Sequence, residues 1–404
     1  MPNRSNRWST LVAGVIVTSL TASCSAGHLS GSGQTDPGTP ALAPGSTVLS
    51  SPTDTSTPST SAPSTTSSTE RSQPPTSIRD STPGSVASTV PIATTKPTAP
   101  KAVQSKSGPS IAGCPVFPAD NAWNTDISNL PVDPHSAAWL ANSGGPSRLI
   151  HPDFGNSGTS VPYGIPFVVT NSSHPKVRVT FQYSSESDPG PYPFGPDTPI
   201  EGGAGSGGDQ HAIMLDSSTC TLYELYDANY SAQGSAAGSG AIWNLRSDAL
   251  RPSGWTSADA AGLPILPGLL RQDEVNAGFV GHAIRMTVET TDNLFIWPAR
   301  HRAGSVDDLN YPPMGARFRL KASVDISHFS RDTQVVLTAM KHYGLIVADN
   351  GSDWYFQGAA QPGWDNTMLD ELKTIPVSDF EAVDTSSLVI DPNSGAARSQ
   401  PASG

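Results

Sequence analysis

From residue 113 onward, apolar side chains recur at alternate positions in short runs, and Gly/Pro-rich stretches separate the runs. This period of two predicts strands at 176–183, where Val177, Val179 and Phe181 share a face, and at 211–215, 222–226, 282–288, 294–297 and 316–322. Polar turns at 216–219 and 290–293 suggest two hairpins, and Asn350, Gly351 and Ser352 suggest a third between 345–349 and 353–356. Helical spacing is scarce. Its clearest instance is 331–343, with Ser330 as N-cap, Asp332 in the first turn, Val335, Val336, Ala339 and Met340 on one face, and Gly344 closing it. A short helix is expected over 368–373. The segment 251–274 is too long and too apolar for a surface loop; Trp255 and its Leu, Ile and Pro residues are expected to cap one sheet, with Asp259 or Asp273 as a helix N-cap. His211-Ala-Ile-Met returns as His282-Ala-Ile-Arg-Met, read as two strands of one sheet. The expected fold is mainly β, an antiparallel β-sandwich of jelly-roll type with a few short helices.

The first quarter carries no such pattern. Trp8 is the only aromatic residue before position 113, and residues 25–112 are mostly Ser, Thr and Pro. Too little apolar area exists there to offset chain entropy, so 24–112 is expected to be a disordered stalk. A globular domain over 113–384 and a disordered tail over 385–404 complete the expected organisation. Arg4 and Arg7 precede an apolar run at 11–20, the order of a secretory signal peptide. Ten residues rise only ~15 Å as a helix, about half the ~30 Å hydrocarbon core, so this run does not span a membrane. Thr21, Ala22, Ser23 and Cys24 resemble the lipobox of bacterial lipoproteins, with Thr21 where an aliphatic residue is usual. The resemblance implies a signal peptide over 1–23, acylation of Cys24, and anchoring in the lipid bilayer of the bacterial cell membrane, outside the cytoplasm. Cys114 and Cys220 remain, and in an oxidising compartment they are expected to pair.

Charge sharpens this division. The whole chain has a formal net charge of -12, but the region from 113 on holds 16 basic against 31 acidic residues. Such a field repels phosphate backbones, and no nucleic-acid partner is expected. The Gly-x-Ser-x-Gly elbow, the His-Glu-x-x-His zinc motif and the Lys-Ser/Thr phosphate loop are all missing. Gly203 to Gly208 match the dinucleotide pattern in letters but precede a strand, so no cofactor is expected; the run reads as a mobile loop.

The densest polar cluster runs from Glu201 through Asp209 and His211 to Glu224 and Asp227. An even-length turn brings His211 and Glu224 to one face, and an odd-length turn brings His211 to Asp227. Either arrangement sets a carboxylate against an imidazole, the geometry of an oriented base or of paired acids flanking a bond. Asp209, His211, Glu224 and Asp227 are therefore the catalytic candidates. A cross-strand ion pair that only stabilises the sheet uses the same residues. A second group, His282, Arg285, Trp297, Arg300 and His301, is the candidate ligand contact: Arg clamps an anion and Trp stacks on a sugar ring. Charge balance among many Asp accounts for it equally. Asp259 and Glu274 are further acids to test. His211, His282 and His301 with an Asp would make a metal site only if three strand registers coincided, and the oxygens of 349–353 lack the full calcium-loop spacing; no metal is expected.

Trp255 to Leu269, Gly281-His282-Ala283-Ile284-Arg285, Trp297-Pro-Ala, Gly315 to Leu320 and Lys341 to Asp349 resemble an uncharacterised family of secreted bacterial proteins common in actinobacteria. The resemblance implies a single domain and brings no catalytic assignment. The expected function is a stalked cell-surface lipoprotein whose β-rich domain binds or cleaves a polysaccharide. As an enzyme it would be a glycoside hydrolase or polysaccharide lyase; the competing classes are a non-catalytic adhesin and a structural cell-envelope lipoprotein.

Overall fold

The computed structural model describes residues 108–158 and 163–399. The signal peptide, Cys24 and the stalk up to residue 107 lie outside the described residues.

The chain opens with β1 (Ser110–Ile111), β2 (Cys114–Pro115), α1 (Ser136–Asn142), β3 (His151–Asp153), β4 (Phe167–Thr170) and β5 (Val179–Phe181). Next come β6 (Ala212–Asp216), β7 (Thr221–Tyr226), β8 (Ser235–Ala237) and β9 (Ser239–Asn244). The last part holds α2 (Gln272–Ala277), β10 (Ile284–Val288), β11 (Arg317–Leu320), α3 (Arg331–His342), β12 (Leu345–Asn350), β13 (Tyr355–Gln357), α4 (Asn366–Leu372) and β14 (Phe380–Ala382). The fold is mainly β with short helices. A six-stranded sheet has the order β14-β11-β12-β10-β13-β3, a four-stranded sheet the order β4-β6-β7-β9, and β1-β2 and β5-β8 form two small ladders.

Alternation along β6 and β7 sets the layers. Ile213, Leu215 and Leu222 point into the main core, which they share with Ile284, Met286, Phe318 and Val347 of the six-stranded sheet. Ala212, Met214, Tyr223 and Leu225 point the other way, into a smaller core with Val179, Tyr192 and Ala237. The inner strands of this sheet, β6 and β7, are thus buried on both faces. The capping segment behaves as expected: Leu263, Ile265, Leu266, Leu269 and Leu270 are fully buried in the main core. Cys114 and Cys220 are bonded, tying the start of the domain to the turn before β7.

Several expectations need correction. The sheets are mixed rather than uniformly antiparallel: β10 runs parallel to β12, β3 to β13, β4 to β6 and β5 to β8. Parallel neighbours need a long crossover, and the chain between β10 and β12, which includes α3, supplies one. Only the hairpin at 216–219 forms, joining β6 to β7. β10 lies between β12 and β13, so the turn at 350–352 crosses over a strand, and 294–297 forms no strand. His211 and His282 lie just before strands of different sheets, β6 and β10. The domain begins before 113, since Ile111 is buried and pairs with Cys114. Residues 385–399 are folded rather than frayed: Trp297 donates to the Ser394 carbonyl at 2.8 Å, Gly395 to the Asp248 carbonyl at 2.6 Å, and Ala397 is buried. Small Ser and Ala residues there let the backbone itself serve as the partner.

Candidate functional site

Where the starts of β6 and β10 approach the buried segment at 257–270, charged side chains meet in a single network. His211 is 2% exposed; its Nδ1 lies 2.6 Å from Glu201 Oε2 and its Nε2 3.1 Å from the Ala258 carbonyl. Both neighbours are acceptors, so both ring nitrogens carry protons. Burial alone would lower the imidazole, but the Glu201 carboxylate outweighs it and holds His211 up to about 9. Burial likewise opposes ionisation of Glu201, and His211 outweighs it, keeping that carboxyl below its ordinary value. The Glu201 backbone also donates to the His211 carbonyl at 2.9 Å. The Gly-rich loop between these two residues is therefore pinched at its base, and Gln210 braces it by accepting from Gly205 and donating to Asp227.

One residue beyond Ala258, Asp259 is fully buried and receives the Arg285 guanidinium on both oxygens, at 2.9 and 2.6 Å. Arg285 Nη2 also lies 3.7 Å from Asp349 Oδ2. Burial and the adjoining Asp259 carboxylate, which hydrogen-bonds to it, raise Asp349 well above the ordinary carboxyl range. Arg285 lies on Asp259, so Asp349 is the carboxyl of the two whose ionisation is disfavoured. That side chain is 20% exposed and lies near Tyr226, whose hydroxyl is raised first by burial and then by the Asp209 and Asp227 carboxylates. Beyond Glu201 the surface continues to Tyr163, which donates to Asp153, and to Tyr355 stacked on His151 at 4.2 Å. A cavity of about 440 Å3 opens beside it, lined by Gly164, Phe167, Thr198, Ile200, Gly202 and Ala204.

The structure sorts the expected residues. The β6–β7 register sets Ile213 opposite Glu224, the even-turn case, so His211 and Glu224 share a face but do not bond. Glu224 is fully buried and accepts from the backbone N–H groups of Ile265 and Leu266 at 2.9–3.0 Å and from Trp243 Nε1 at 3.1 Å. Burial raises it to about 7 against those donors. No substrate reaches it, which removes it as a catalytic acid. Asp209 and Asp227 are exposed at the rim, and Asp209 is close enough for its charge to act on His211 and Asp349.

The expected ligand group does not stay together. Arg285 joins the network. Arg300 donates to the carbonyls of Arg251 and Pro392 and to Asn393, stapling the C-terminal segment. Trp297 serves the same segment, His301 donates from Nδ1 to the Ala260 carbonyl, and His282 is buried against Glu274 at 3.1 Å. Asp259 is a partner of Arg285 and not a helix cap. Trp123, Trp139, Trp243, Trp354 and Trp364 are buried, so they form no stacking platform. Asp349 was visible as a charge ending the apolar run 345–348, a place where a buried strand reaches the surface.

No protein-family model, curated protein or solved structure matches the chain. The chemistry of the site therefore rests on its geometry. A partly exposed carboxyl that burial and a neighbouring acid push toward its protonated form, a second exposed carboxylate at the same rim, and a fixed positive charge behind them suit giving a proton to one atom and taking one from another.

Proposed function

We propose that this is a cell-surface lipoprotein, held to the membrane through acylated Cys24, whose β-rich domain hydrolyses a polysaccharide. The observation that carries the reading is Asp349, a carboxyl at the solvent rim backed by the buried Asp259–Arg285 pair. Asp349 gives its proton to the departing glycosidic oxygen as that bond breaks; Asp209 takes a proton from the water that attacks the sugar carbon. Arg285 keeps the proton of the carboxyl pair on Asp349, and the Glu201–His211 ion pair fixes the loop that carries Asp209. The burial of most Trp side chains takes away the support for a non-catalytic adhesin that stacks on sugar rings. Location outside the cytoplasm draws on the lipobox-like Cys24 and on the Cys114–Cys220 bond.

Incubation of the full chain with a panel of wall and environmental glycans is expected to release reducing ends, and Asp349→Asn to abolish the release. Absence of products from every glycan, or release that survives Asp349→Asn, would overturn the proposal. Cys24→Ala is expected to move the protein from the membrane fraction to the soluble one.

A further inference from the structure

Burial of most Trp side chains leaves the stacking of sugar rings to other aromatics, and two tyrosines border the Asp349 network. Tyr226 ends β7 half-buried, with its ring 6.0 Å from that of His211 and packed on Gly238, where a side chain would lie 2.5 Å from the phenol ring. Tyr183 is 43% exposed. Its backbone N–H donates to the Gly238 carbonyl at 2.9 Å, so both tyrosines are seated on one glycine. Residues 256–261 join them to the proposed acid: Ser239, opposite Tyr226 in the β7–β9 ladder, donates to the Ser257 carbonyl at 2.5 Å, and Ala261 donates to the Ala348 carbonyl at 2.9 Å. The Asp209 and Asp227 carboxylates also act on the Tyr226 hydroxyl.

Two polar side chains attach to the same segment. His301 donates from its backbone N–H to the Ala261 carbonyl at 3.1 Å and from Nδ1 to the Ala260 carbonyl at 2.8 Å. Its Nε2 faces Glu186 Oε2 at 3.8 Å, beyond hydrogen-bond reach, and the two side chains are 27% and 34% exposed. Glu186 is fixed by the Thr256 N–H on Oε2 at 3.1 Å, and its own N–H returns to the Tyr183 carbonyl at 3.1 Å. With the proton of the neutral imidazole on Nδ1, Nε2 accepts. Two acceptors side by side at the surface call for two donors, and vicinal hydroxyls of a sugar supply them while the Tyr183 ring takes the C–H face of the pyranose. Charge restricts the sugar further. The carboxylates of Glu186, Asp209 and Asp227 outnumber the exposed guanidinium of Arg302 next to His301 in the chain, and Arg285 is buried on Asp259, so an acidic sugar would meet net repulsion. We infer that Tyr183, Tyr226, Glu186 and His301 form a subsite for a neutral sugar ring beside the bond cleaved at Asp349. The inference rests on the glycan reading above and narrows it to uncharged polysaccharides, away from uronic-acid polymers.

Calorimetric titration of the full chain carrying Asp349→Asn, which leaves the ligand uncut, tests this with cellohexaose, laminarihexaose, xylohexaose and maltohexaose against hexagalacturonate. At least one neutral hexasaccharide is expected to bind about tenfold more tightly than the acidic one. Tyr183→Ala is expected to weaken that binding about tenfold and Tyr183→Phe to restore it, since the phenyl ring keeps the stacking face. His301→Ala is expected to weaken it about fivefold. In an otherwise wild-type chain, Tyr183→Ala should raise KM about tenfold with kcat nearly unchanged, the sign of lost binding and not of lost chemistry. Absence of binding by every neutral probe, equal or tighter binding of hexagalacturonate, or indifference to Tyr183→Ala or His301→Ala would each overturn the subsite. Cleavage of a glycan with a KM that ignores Tyr183→Ala would sink the subsite and leave the proposed function standing. Binding of a neutral probe that depends on Tyr183, with no product from the wild type, would sink the catalysis and leave the subsite.

Discussion

Glu224 and Asp349 are both carboxyl groups raised by burial, yet they sit in opposite surroundings. Glu224 ends in a closed cage of two backbone N–H groups and an indole N–H. Asp349 ends at a rim, against another carboxyl and a guanidinium. The first geometry spends both carboxylate oxygens on donors of the chain inside the core, out of a ligand's reach; the second places a carboxyl where a ligand can meet it. A raised carboxyl is thus a structural part or a reactive one according to whether its open side faces the chain or the solvent.

Exchanging carboxyl for amide at both positions breaks the comparison most sharply. Asp349→Asn is expected to lower the cleavage rate about 10²–10⁴-fold, the usual worth of a positioned acid, while the urea midpoint hardly moves. Glu224→Gln is expected to do the reverse, costing about 2–3 kcal/mol of stability because an NH₂ group then faces N–H donors, with unchanged cleavage per folded molecule. Equal loss of activity in both variants would erase the distinction.

The pH dependence of stability separates the sealed group from the rim more gently. Glu224 rises from an ordinary 4.5 to about 7 on folding, so its favourable contribution is complete below pH 4.5 and is lost as pH climbs through 7. His211 rises from 6.5 to about 9, so its contribution is complete below 6.5 and disappears through pH 9. Glu201 is lowered, and its contribution is present above 4.5 and is lost as pH falls through its folded value. Urea midpoints are therefore expected to fall steadily between pH 6 and 9 in the wild type. Glu224→Gln should flatten the limb below 7 and leave the one above it. A wild-type midpoint that rises toward pH 9 would contradict both assignments. The smallest expected effect is at Tyr226, whose hydroxyl only neighbours the acids: Tyr226→Phe should slow cleavage by about threefold, less than 1 kcal/mol.

Local elements were legible in the sequence where one strand or helix carries its own period. β6, β7, β10 and α3 lie where alternation or helical spacing placed them, with Ser330 at the helix start, although its hydroxyl bonds Glu371 and not the helix backbone. Pairing was less legible. A turn at 350–352 reads as a hairpin by its residues, and only the tertiary preference of β12 for β10 as a parallel neighbour overrides it. The site was half legible. Polar density drew attention to 201–211, but Glu201, eleven residues before the start of β6, meets His211 through a loop closure that spacing does not encode. Arg285 and Arg300 looked alike as cations in an acidic domain. What separates them is whether they meet carboxylates or backbone carbonyls, which depends on the path of residues 385–399.

Selective ¹³C labelling of aspartate carboxyl carbons, followed by NMR across the acidic and neutral range, measures the decisive quantity. Asp349 is expected to titrate well above the ordinary carboxyl value of 3.8, and to move back toward it in Asp259→Asn, where the neighbouring charge is gone. An Asp349 resonance that titrates at or below 3.8 in the wild type would mean that no proton is held at the rim, and the proposed acid would be lost.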